Sequence, residues 1–128
     1  MKRPHFRFED LEVWQDACDL AVACHRIADD LGDRKWFRYA EQLRAAGLSP
    51  SNNIAEGSAS HHDKEFFQFL NIARRSASEL ASMALTFERM EIINAPTTSN
   101  ILEMSDKTGR KLTALIRHLG REAESGKR

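Results

Sequence analysis

The chain has 128 residues, 41% of them hydrophobic and 30% charged, with 19 basic and 19 acidic side chains that cancel. That is enough for one domain with its own core and places the chain among ordinary globular proteins. No apolar run approaches the ~20 residues of a membrane span, and Met1 to Phe8 lacks a signal-peptide core, which predicts a cytoplasmic protein with no membrane partner.

The zero balance hides a separation along the chain. Between Glu9 and Asp33 stand eight carboxylates against Arg26 alone. From Lys107 to Arg128 seven cations face only Glu122 and Glu124. Such ends either lie against one another inside the subunit or leave a basic face for a polyanion. Cys18 and Cys24 are six residues apart and point to different sides of a helix, so they are predicted to be free thiols.

In chain order, residues 1–8 form a basic, aromatic arm, with Arg7 between Phe6 and Phe8, and are expected to be extended. Glu9, Asp10 and Glu12 then place negative charge in a helix's first turn, where the dipole favours it. This first helix is predicted to run to about Asp30 and end near Gly32. One apolar face carries Leu11, Trp14, Cys18, Ala21, Val22 and His25, with His25 expected as a hydrogen-bonded core histidine. The other carries Val13, Leu20, Cys24, Ile27 and Leu31. Together they exceed the ~100° stripe of a helix packed on one side. Either the helix is central or its second face, Leu20 included, meets another subunit, and in a bundle of this length the subunit contact is expected.

A second helix is predicted over about Phe37 to Glu56. It contains the segment Leu43 to Gly57, where Pro50 removes a backbone bond at a cost of roughly 3 kcal/mol that packing must offset. Helical projection puts Gln42, Ala46, Ser49, Asn53 and Glu56 in one stripe beside Leu43, Gly47, Pro50 and Ile54. A polar loop from Gly57 to His62 follows, with Ser60 or Asp63 available to cap a third helix. That helix, about Asp63 to Glu91, shows an apolar period from Phe66 through Leu70, Ala73, Ala77 and Leu80 to Phe87. Its side stripe of Ile72, Ser76, Glu79, Met83 and Met90 is mixed.

Asn94-Ala95-Pro96 reads as a break, and Asn100 with Glu103 is spaced like a capping box for a fourth helix ending near Arg121. That helix sets Ile101, Leu102, Leu112, Leu115, Ile116 and Leu119 opposite Lys107, Arg110, Lys111, Arg117, His118 and Arg121. Residues 122–128 are expected to fray. Four long helices with short connections predict a single all-α domain, an antiparallel up-down-up-down bundle over residues 1–128.

A di-metal carboxylate bundle needs Glu-x-x-His pairs, and Val22, Ser58, Ala59 and Leu115 stand where those glutamates belong. His61-His62-Asp63 reads as a solvated cap rather than a metal site. Ser49 and Ser76 have no histidine and carboxylate set as nucleophile partners. No catalytic, cofactor-binding or metal residue is predicted, and the chain is expected not to be an enzyme. Two candidate surfaces remain. Gln42, Ser49, Asn53 and Glu56, with Ser76 and Glu79, would form a polar network or interface that fixes helix register or subunit contacts. Lys107, Arg110, Lys111, Arg117 and Arg121 would bind nucleic acid through phosphate contacts.

Several of these residues carry a family resemblance. They are Phe8, Asp10-Leu11, Val13-Trp14-Gln15 and Ala17, then Gln42-Leu43-Arg44 and Ala46. Ser51-Asn52-Asn53-Ile54-Ala55-Glu56-Gly57 follows, and then Glu65-Phe66, Phe69-Leu70, Ile72-Ala73, Ser76 and Glu79-Leu80. In this pattern the chain resembles the bacterial four-helix-bundle proteins named for reading frames in intervening sequences of 23S ribosomal RNA genes. Gly47, Pro50 and Arg74-Arg75 depart from it. The resemblance implies a left-handed bundle that assembles into a homo-oligomeric ring, a pentamer, and no settled function. Similar bundles assist reverse transcriptases of diversity-generating elements, which implies RNA or a nucleic-acid enzyme as a partner. The alternative is a structural or protein-interaction module without nucleic-acid affinity.

Overall fold

The computed structural model describes residues 2–126. Four α-helices account for most of them: α1 Glu12–Asp33, α2 Phe37–Ser58, α3 Asp63–Arg89 and α4 Ala95–Ser125. Among the described residues there is no strand. Each helix packs beside the next, and α1 closes the set against α4. Contacts between neighbours run in opposite directions along the chain. Asp29 of α1 meets Arg44 of α2, and Asp16 nearer the start of α1 meets Lys107 and Lys111 far along α4. On α2, Ser49 meets Ser76 of α3, while a Cβ on Gly57 would meet Phe66 and Phe69. The molecule is an all-α four-helix bundle, with the helix order that an antiparallel up-down-up-down arrangement requires.

The core lies along the axis in two adjoining clusters. Leu20, Cys24, Leu31, Leu43, Leu80, Phe87 and Ile101 fill one half. Val13, Ala17, Ile54, Phe66, Leu70, Leu112 and Leu119 fill the other. Leu20 is 0% exposed within this core, so the second face of α1 packs inside its own subunit and not against another. The first face points partly outward: Val22 is 47% exposed, and His25 is an exposed residue paired with Asp29 at 3.4 Å rather than a core histidine. The excess of apolar surface on α1 is real, but the core takes the opposite side from the one expected.

Helix α2 passes through Pro50 without a break. The ring is buried, and next to it Asn53 Nδ2 donates to the Ser49 carbonyl at 2.9 Å. Two glycines explain how closely α2 approaches its neighbours. A Cβ on Gly47 would lie 2.8 Å from Cys24 Cβ, and one on Gly57 would lie 2.8 Å from Phe69 Cβ. Gly57 is thus a buried packing residue inside the helix rather than its stop.

The loops hold further corrections. Residues Arg7–Asp10 form a 3-10 turn, so the arm is not extended throughout and Glu9 and Asp10 precede α1. Glu9 binds Arg3 at 2.5 Å and accepts from the Phe6 N–H at 2.8 Å, which holds its carboxyl at about 2. Arg7 ties the arm to the body through the Ser58 carbonyl at 3.2 Å and the face of Phe66. Lys35 and Glu91 adopt positive φ at the ends of α1 and α3. There the amides of Trp36 and Ile92 reach back to Leu31 and Phe87, the Schellman closure that normally uses glycine.

Helix α3 begins after His62, which makes no side-chain cap, so Ser60 is not the cap either. The capping box expected at Asn100 is absent, because α4 starts five residues earlier. Asn94 Oδ1 caps it by accepting from the Thr97 N–H at 2.9 Å. Pro96 falls in that first turn, where its missing N–H costs nothing. Helix α4 then continues to Ser125, beyond the expected end near Arg121, and Lys127 and Arg128 lie outside the described residues. Its core face includes Thr98, Ser105 and Thr108, three buried hydroxyl residues among the leucines and isoleucine.

Candidate functional site

Of the polar residues on the α2/α3 seam, three come together. Ser49 Oγ lies 2.7 Å from Ser76 Oγ across the helices, and Asn53 Nδ2 reaches Ser49 Oγ at 3.2 Å as well as its carbonyl. All three are half-buried. Gln42, Glu56 and Glu79 are exposed and make no hydrogen bond or ion pair among the described residues. The seam is therefore a short clasp of two hydroxyls and one amide, with three free polar side chains outside it. Among the described residues no carboxylate or imidazole is hydrogen-bonded to either serine, so neither hydroxyl has a base there to take its proton. Asn53→Leu removes both bonds to Ser49, worth about 1 kcal/mol each. A melting temperature a few degrees lower is expected, and unchanged melting would contradict this role.

The cations of α4 divide into two groups. Lys111 Nζ sits between Glu12 at 2.5 Å and Asp16 at 2.6 Å, and Lys107 pairs with the same Asp16 at 3.4 Å. The hydrogen bonds that Lys111 donates to Asp16 and then to Glu12 raise its pKa above the ordinary value. The acidic start of α1 thus neutralises two of the five candidate nucleic-acid contacts within the subunit. Arg110 pairs with Asp106 one turn away at 2.9 Å. Arg117 and Arg121 are exposed and have no partner among the described residues.

Sequence reasoning left one feature out. Between α3 and α4 runs an open groove of about 730 Å³, and its rim carries Arg110 and Arg117 from α4 and Arg74 from α3. Arg74 reaches Asn71 at 2.7 Å and Thr113 at 3.4 Å, which lays it across the two helices. The signal lay in Arg74 and in the run of small residues on both walls, too far apart in the chain to be joined without the fold.

The remaining reactive groups offer little chemistry. Burial pushes the Cys24 thiol up to about 11, and burial with the nearby Asp19 charge raises Cys18. Neither is an activated nucleophile. No group of three His, Cys, Asp or Glu side chains among the described residues is placed to hold a metal. None of the described helices is long and apolar enough to cross a membrane.

These observations define a four-helix bundle whose distinguishing features are surfaces, a clasped polar seam and an arginine-rimmed groove. The family model for the 23S rRNA-intervening sequence protein matches residues 9–114, and the chain belongs to that family. It is also similar to the crystal structure of a protein of unknown function from the S23 ribosomal protein family of Bacteroides thetaiotaomicron. The two share 25% sequence identity and a TM-score of 0.77 over 81% of this chain and 97% of that one. No curated protein matches the chain.

Proposed function

We propose that this chain is a non-enzymatic, self-associating interaction module whose copies close into a ring, a scaffold rather than a catalyst. The observation that carries this reading is an apolar patch on the α1/α2 face. Val22 and Leu48 are 47% and 52% exposed and line one depression with Ala21, edged by His25 and Arg44. A protein working alone gains nothing by leaving two large aliphatic side chains half in water side by side, at about 1 kcal/mol of forgone burial each. The ring, and a pentamer in particular, is what the family resemblance implies.

The test is Val22→Lys combined with Leu48→Lys. Both side chains are exposed, so melting of the subunit should hardly change while association is lost in light scattering. Retained assembly would overturn the reading.

RNA binding is the second reading, and the unpaired Arg117 and Arg121 favour it. Because Lys107 and Lys111 already serve α1, the contacts that matter are the arginines. An RNA titration at low and moderate salt should show binding that weakens steeply with salt and is lost on changing Arg117 and Arg121 to Glu. Negligible binding by the wild type leaves the interaction module alone.

A further inference from the structure

Small-molecule sites usually measure about 300–1,000 Å³ and combine apolar walls with a few placed polar groups. A depression of about 660 Å³ lies where α1, the end of α3 and the start of α4 meet. Its charges oppose one another: Arg26 and Arg34 stand with Asp30, Glu88 and Glu91, so it favours neither sign of ligand. The α3/α4 groove is of similar size, about 730 Å³, and there the charges do not cancel.

The surplus sits at one end. Along α4 the groove runs from Leu102 to Arg117, about 22 Å of helix. Asp106 lines the first half and is already held by Arg110 at 2.9 Å. In the second half Arg74 reaches across from α3 to Thr113 at 3.4 Å, and Arg117 follows Thr113 by one turn of α4. Arg74 and Arg117 therefore flank the same stretch. Among the described residues no carboxylate lines it, and Arg117 has no partner. The bond from Arg74 to Asn71 at 2.7 Å steadies that guanidinium and leaves its other N–H groups free.

Away from the arginine pair the walls are apolar, made by Ala77, Ala81, Ala114 and Leu102. Ser105 lines the groove toward the far end. It is 4% exposed, and its Oγ has no hydrogen-bond partner among the described residues. From Thr113 back to Ser105 the helix rises about 12 Å. A bare ion would leave those walls wet, and a neutral hydrocarbon would leave the arginine pair unused. An oxyanion joined to an apolar body of that length meets both ends.

We infer that the α3/α4 groove binds an amphipathic organic anion. Its carboxylate or phosphate head lies between Arg74 and Arg117, and its apolar body runs along the alanines toward Ser105. Guanidinium groups take both kinds of head through paired N–H donors. The site is complete within one subunit, so it stands apart from the self-association and the RNA contacts proposed above.

The experiment is calorimetric titration of the full chain with decanoate and with decyl phosphate, against decanol and inorganic phosphate as controls. Saturable binding of one molecule per subunit is expected for at least one of the two anions, and the tighter of them names the head. Alanine-methyl NMR should place it by shifts at Ala77, Ala81 and Ala114. Arg74→Gln with Arg117→Gln should weaken binding at least about tenfold. Gly109→Leu projects into the groove where a Cβ meets nothing within 4 Å, and should abolish binding without lowering the melting temperature. Val22→Lys with Leu48→Lys should bind as wild type does. The inference is overturned if neither anion binds saturably, if decanol or inorganic phosphate binds as tightly, or if the arginine variant or Gly109→Leu binds undiminished.

Discussion

Leu20→Lys is expected to unfold the subunit rather than to separate subunits from each other. Leu20 is 0% exposed among Cys24, Leu31, Leu43 and Leu80. Removing a buried leucine costs about 2–5 kcal/mol, and an unpaired ammonium in its place adds several more. That sum reaches the whole stability of a small domain, about 5–15 kcal/mol. Circular dichroism should show a collapse of the cooperative melt at room temperature or little folded protein at all. Val22→Lys, two residues on but exposed, should keep the native melt. A folded Leu20→Lys monomer would mean that the buried face of α1 had been assigned to the wrong neighbour.

The second large effect is expected at Gly57. Its Cβ position lies 2.8 Å from Phe69 Cβ and 2.9 Å from Phe66 Cδ1, closer than carbon atoms can pack. Gly57→Val forces α2 and α3 apart where Phe66 anchors one half of the core and carries Arg7 of the arm on its face. The cost of such overpacking is about 3 kcal/mol, or roughly 10 °C in melting temperature for a domain of this size. Gly120→Ala is the control, since nothing lies within 4 Å of a Cβ there and helix propensity alone should raise stability slightly. Thermal melts of both proteins decide it, and equal melting of Gly57→Val and wild type would contradict the close approach.

Helix number and type were legible because three kinds of signal agreed. The period from Phe66 to Phe87, the carboxylates before α1 and the turn residues at Ala59–His62 all point to one bundle. Boundaries fared worse where one residue had two physical meanings. Pro96 reads as a break, yet proline in a first helical turn is tolerated, and Asn94 before it is the cap. Gly57 reads as a stop but is a contact, because nothing local announces that Phe66 and Phe69 will lie against it. The core of α4 hid behind Ser105 and Thr108, whose hydroxyls mask positions that burial later claims.

The surfaces were less legible. The opposed charges of Glu12 and Asp16 with Lys107 and Lys111 were visible as a pattern, but only packing decided that they meet. Choosing which face of α1 points inward needed the positions of α2 and α4, since both faces are apolar enough to be buried. The groove needed two helices to be seen at all. Its arginines come from α3 and α4.

Sedimentation velocity of the unmodified chain across a micromolar concentration series tests the central claim most directly. A self-associating module with an exposed Val22–Leu48 patch should sediment as a closed oligomer, with monomer only at the lowest concentrations. A single monomeric species throughout the series would contradict it.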